Sequence, residues 1–136
     1  MSSFTSTLKV EVMDDGEFWR VLEEFDYRIG SDISNQIIHI REGELTDFAS
    51  IPKWLRPFLP SWAKYNKSAP LHDQMYRYQQ VMGEPISRKF ADDTWLEAML
   101  INFRNHKSGE FVAWLEYTVI RLVGWKAWNN YSRIIK

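Results

Sequence analysis

Apolar and polar residues alternate at Leu8, Lys9, Val10, Glu11 and Val12, the period of a strand with one buried face. Asp14-Asp15-Gly16 then marks a tight turn, because Asp and Gly tolerate the left-handed backbone such turns need. A second run, Phe18 to Tyr27, is aromatic and β-branched, with Glu23-Glu24 marking a bulge or a break. Gly30 to Asn35 reads as a loop and Gln36 to Arg41 as a third strand. Together they predict an antiparallel meander.

The period changes after Glu42-Gly43-Glu44. Pro52, Pro57 and Pro60 leave room only for short helical turns between Thr46 and Pro60. Ser68 can cap a helix that carries Pro70 in its first turn, runs to about Gln80 and stops before Gly83 and Pro85. Ser87 can cap the next, whose apolar stripe is Ala91, Trp95, Ala98, Met99 and Phe103. After a turn at Asn105 to Gly109, a last helix places Val112, Leu115, Val119, Leu122 and Trp125 on one face. The expected fold is α+β: an N-terminal antiparallel meander of about three strands packed against about three C-terminal helices. One domain is expected over residues 1–136, with 1–45 mostly β, 46–66 proline-rich and 67–136 mostly helical.

Composition narrows the function classes. The chain is 45% hydrophobic and 15% aromatic, with seven tryptophans, ample material for a core. A net charge of −1 argues against a nucleic-acid binder working by bulk electrostatics. The absence of cysteine excludes disulfides, thiolate metal sites and a cysteine nucleophile. No signal-peptide pattern opens the chain, and its longest apolar stretch, Phe111 to Trp128, is interrupted by Glu116, Arg121 and Lys126. The lack of cysteine suits a cytoplasmic location. Trp114, Trp125 and Trp128, with Arg121, Lys126, Arg133 and Lys136, would suit a helix lying on a membrane. Aromatics on several of its faces fit a buried spine better, so no membrane role is expected.

The chain lacks a glycine-rich phosphate loop and a His-Glu-x-x-His pair, and His39, His72 and His106 stand far apart. What remains is a set of acids and one imidazole near element ends. His72 and Asp73 sit about 100° apart on one helix, so they can border one cavity; His72 could ligate a divalent metal or act as general base. The plainer reading is a packed histidine and a helix-terminal aspartate. Asp47, in Thr46-Asp47-Phe48-Ala49-Ser50-Ile51-Pro52, is either a loop-capping residue or a site residue, and Ser50 can cap the turn that Pro52 opens. Asp92 can pair with Arg88 at i, i+4, an ordinary surface contribution, or look inward, where a carboxylate needs a partner or a metal. Asp93 faces water.

The order Thr46-Asp47-Phe48-Ala49-Ser50-Ile51-Pro52, then His72-Asp73-Gln74-Met75-Tyr76, then Arg88-Lys89-Phe90-Ala91-Asp92, with Gly124 and Trp128 closing, resembles an uncharacterised family of small proteins from tailed bacteriophages and prophages. That family is a numbered domain of unknown function, and the likeness covers roughly residues 36–130. Lys53 stands where the family often has arginine. The resemblance implies phage origin and one cluster holding Thr46, Asp47, Ser50, Pro52, His72, Asp73, Tyr76, Arg88 and Asp92. The reading that follows is a hydrolase-like phage protein with an Asp/His cleft. In it His72, Asp73 and Asp47 are catalytic candidates and Asp47, His72 and Asp92 candidate ligands of a divalent metal, supported by Thr46, Ser50, Tyr76 and Arg88. The rival is a non-enzymatic virion, assembly or host-protein-binding component, in which the same residues form a hydrogen-bond network and a phage or host protein is the partner.

Overall fold

A computed structural model describes residues 3–4, 8–12, 19–31, 33–46, 52–64 and 66–135. The architecture is α+β, with antiparallel strands in the N-terminal half and helices in the C-terminal half. The strands are β1 (Ser3–Phe4), β2 (Val10–Val12), β3 (Trp19–Val21), β4 (Phe25–Arg28), β5 (Ile37–Ile40) and β6 (Leu45–Thr46). A short 3-10 turn, Arg56–Phe58, and α1 (Ser61–Lys64) lead to α2 (Ser68–Tyr78). A two-stranded hairpin, β7 (Gln80–Val81) and β8 (Glu84–Pro85), joins α2 to α3 (Arg88–Asn102); α4 (Gly109–Val123) and α5 (Trp125–Ile135) follow.

The strands do not form one meander. They make two three-stranded sheets, ordered β1-β4-β5 and β2-β3-β6. The run Phe18 to Tyr27 divides between them, broken at Leu22 to Glu24. Val21 and Phe25 are both buried whereas Leu22 is 45% exposed, so an unbroken strand would turn one of the buried pair's neighbours inward with its charge. β3 feeds the second sheet, while β4 pairs with β5 in the register Phe25↔Ile40 and Tyr27↔Ile38.

In the second half the periodic stripes are decisive. Ala91, Trp95, Ala98, Met99 and Phe103 are all buried, as their spacing predicts. Ser87 caps α3 by accepting from the Phe90 amide at 3.0 Å. Ser68 does not cap α2. Lys67 occupies that position without a side-chain cap, and Asn66 accepts instead from the Ser68 amide at 3.0 Å. The last helical stretch differs from expectation in two ways. It is two helices, divided at Gly124, and α4 buries Val112, Ala113, Glu116 and Ile120 rather than the face of Leu122 and Trp125, which are 70% and 54% exposed.

Two apolar clusters result. One joins β4 and β5 to α2 through Phe25, Tyr27, Ile38, Ile40, Leu71 and Met75. The other lies between α3, α4 and the proline-rich segment, around Trp95, Met99 and Phe103. The second holds a polar defect. Both carboxyl oxygens of Glu116 and the Trp95 Nε1 are buried without hydrogen-bond partners among the described residues, and burial pushes the Glu116 carboxyl up to about 8.

Candidate functional site

α2 and α3 pack directly on each other, and between them lies a buried carboxylate with donors from three helices. Asp92, on the second turn of α3, is fully buried. Its Oδ1 accepts from His72 Nε2 at 2.8 Å and from the Tyr76 hydroxyl at 2.7 Å. Its Oδ2 accepts from Arg88 at 3.2 Å and from Arg121 at 2.7 Å. Helical spacing explains the convergence: His72 and Tyr76 are one turn apart on α2, and Arg88 and Asp92 one turn apart on α3. Arg121 arrives from α4. Arg88 also donates to the carbonyls of Ile120 and Arg121, each at 3.2 Å, closing the C-terminal end of α4 onto the cluster.

The imidazole of His72 is only 1% exposed and is enclosed by rings, with centroids 4.4 Å from Trp95 and 4.3 Å from Tyr76. Burial lowers the pKa of His72, opposed by the hydrogen bond and charge of Asp92, and Arg88 lowers it further. The ring is therefore held neutral, with Nε2–H committed to Asp92. Burial alone would raise the Asp92 pKa, but the hydrogen bonds from His72, Tyr76 and Arg121 bring it below the usual carboxylate range. Burial, then the Asp92 hydrogen bond, pushes the Tyr76 hydroxyl up. Asp92 is thus an anion with two guanidinium partners, and all four of its lone-pair positions are taken.

Asp73, next on α2, points elsewhere. It accepts a hydrogen bond from the buried hydroxyl of Thr46 at the end of β6, which fastens the helix to the second sheet. The pair thus divides as the 100° offset requires: His72 toward α3, Asp73 toward the strand. Of the remaining candidates, Asp47 and Ser50 lie outside the described residues. Among the described residues, no group of three or more histidine, aspartate or glutamate side chains is arranged to hold a metal ion. Asp93 stays on the outside, bound by Lys89 at 2.6 Å and by the Tyr117 hydroxyl at 2.5 Å.

Arg88 with Asp92 is not the surface pair that its i, i+4 spacing suggests, because the carboxylate is sealed from water. Arg121 was legible only as one more basic residue of a C-terminal helix. Nothing local marks it, since its partner lies 29 positions away. Gly124 supports the same cluster by being small. A Cβ there would stand 2.7 Å from the Tyr76 hydroxyl and 2.6 Å from the Ile120 carbonyl.

Residues 19–120 match a family described as Protein of unknown function (DUF1353). The chain belongs to this family. The matched span opens at β3 and closes within α4, so it holds His72, Asp73, Tyr76, Arg88 and Asp92, while Arg121 follows directly after it. No curated protein and no solved structure matches the chain.

Proposed function

We propose that this chain is a hydrolase in which His72 activates water and Asp92 holds the imidazole in place. The observation behind this reading is the 2.8 Å hydrogen bond from His72 Nε2 to a buried carboxylate whose pKa its hydrogen bonds hold below the usual range. That bond fixes the tautomer: with Nε2 protonated, the lone pair is on Nδ1, where a base needs it. Nδ1 takes a proton from water as the oxygen adds to an electrophilic acyl or phosphoryl centre, then returns it to the leaving group. Asp92 stabilises the transient imidazolium, tempered by the two arginines that share it. Asp92 is not available to a divalent cation, because all its acceptor positions are taken by His72, Tyr76, Arg88 and Arg121. The order of motifs supports reading the protein as a tailed-phage gene product that acts in the host cytoplasm or from the virion.

A second reading is favoured by the enclosure of the ring. With His72 1% exposed and Asp92 bound by donors from α2, α3 and α4, the same residues also suit a purely structural hub in a virion, assembly or host-binding protein.

One experiment separates them. The purified chain is assayed against p-nitrophenyl acyl esters and bis-p-nitrophenyl phosphate, with calcium, magnesium or chelator. Hydrolysis that disappears in His72→Gln while thermal stability changes little supports the base. A wild-type chain inert under all these conditions, with His72→Gln strongly destabilised, leaves the hub and sinks the hydrolase.

A further inference from the structure

The face of α4 opposite Ala113, Glu116 and Ile120 carries Phe111, Trp114, Thr118 and Leu122, and Trp125 continues it onto α5. With 3.6 residues per turn, these positions lie within an arc of about 80°. Gly124 does not break the screw. Its φ of −70° and ψ of −17° are helical, and the Trp128 amide donates to its carbonyl at 3.1 Å. We infer that two copies of this chain pair antiparallel along this stripe, with the two-fold axis at Thr118. The inference is independent of the hydrolase reading.

Symmetry supports it first. The steps along the stripe are three, four, four and three residues, so it reads alike from either end. In an antiparallel pair centred on Thr118, Phe111 meets the partner's Trp125 and Trp114 meets the partner's Leu122. The same contacts recur beyond the axis. A closed two-fold interface requires this self-complementarity, residue i touching j while j touches i.

Thr118 suits the axis. It is the smallest side chain of the stripe, so the two helices approach closely there. Its hydroxyl donates to the Trp114 carbonyl at 2.8 Å within the helix and needs no group from across the interface. Trp114 is itself ordered, edge-on to Tyr117 with ring centroids 5.7 Å apart, so less freedom is lost on docking.

The exposed area matches what a dimer needs. Phe111 and Leu122 are 70% exposed, Trp125 54% and Trp114 47%. At about 200 Å² for each large side chain, they present roughly 500 Å² of apolar surface. A standard interface takes about a tenth of a small protein's surface from each partner, and this chain exposes 8068 Å². The four side chains supply more than half of that tenth, and Leu115, Thr118, Glu110 and Lys126 lie alongside to supply the rest. A bilayer fits the stripe less well. Its flanks are Glu110 on one side and Lys126 on the other, not the basic rim that holds a helix on anionic lipid.

The test is sedimentation velocity of the full 16.2 kDa chain at about 100 μM, above the Kd of most interfaces of this size. A particle of twice that mass is expected. Leu122→Glu sets a carboxylate against the partner's Trp114 and weakens association about tenfold or more, with an unchanged circular dichroism spectrum. Because the chain has no cysteine, Thr118→Cys places a single thiol at the axis, where two Cα atoms come within reach of a disulfide. Mild oxidation joins that variant into a covalent dimer on a non-reducing gel, whereas Ile33→Cys, exposed on the β4–β5 loop, stays monomeric. The proposal is overturned by a wild-type chain that sediments as a monomer, by a dimer that survives Leu122→Glu, or by equal cross-linking of both cysteine variants. A monomer that binds phosphatidylcholine–phosphatidylglycerol vesicles and loses them in Leu122→Glu also overturns it, since lipid is then the occupant.

Discussion

Arg121 on α4 reaches Asp92 on α3 at 2.7 Å, so the buried carboxylate joins three helices rather than two. Most buried ion pairs gain little over apolar packing, yet breaking one strands its partners. Here the stranded groups would be two guanidiniums, an imidazole and a phenol. Asp92→Asn is expected to cost about 3–5 kcal/mol in urea unfolding. Arg121→Met, which removes the partly exposed donor, costs less because Arg88, His72 and Tyr76 still satisfy the carboxylate.

Acid should weaken the fold through His72. Its folded pKa lies below the ordinary 6.5 because the ring is buried. As pH falls below about 6.5 the unfolded ring takes a proton that the folded ring resists, so stability present at neutral pH is lost through this window. Asp92, depressed in the folded state, adds a further loss at lower pH, as it is protonated. Thermal unfolding between pH 7 and 5 should show the slope in wild type and a flatter one in His72→Gln. An equal slope in both would remove His72 as its source.

Glu116 has the opposite sign. Burial lifts its folded pKa to about 8 from the ordinary 4.5 of a glutamate, so its contribution is complete below the lower value and fades as pH rises toward the upper. Glu116→Gln is expected to stabilise the protein at pH 8 by on the order of 2–3 kcal/mol, with little gain near pH 4. Chemical denaturation at the two pH values measures the difference.

Gly124 is predicted to be intolerant for reasons of space, not backbone freedom. Gly124→Ala puts a methyl against the Tyr76 hydroxyl, which must leave Asp92 or push α5 away from α2. A loss of about 1–3 kcal/mol is expected, accompanied by a changed Tyr76 environment in near-ultraviolet circular dichroism. Retained stability and an unchanged spectrum would show that α5 shifts freely.

The helical half was legible where one face meets one neighbour. The α3 stripe and its Ser87 cap depend on spacing and local capping alone, and both hold. The face of α4 was not legible, because apolar residues surround that helix and periodicity cannot rank them. Glu116, an ionisable residue, lies inside while Leu122 lies out.

By its own pattern, the chain determined an α+β division, the positions of α2 and α3, and the pairing of Arg88 with Asp92 at one-turn spacing. Only the tertiary fold decided that this pair is buried, that His72 and Tyr76 converge on it, and that Arg121 completes it. Local propensities act over a few residues, whereas the donors to one carboxylate here span positions 72 to 121 and meet only when three helices pack. The split of Phe18 to Tyr27 between two sheets has the same origin, since strand partners are chosen by long-range pairing that no short window of sequence contains.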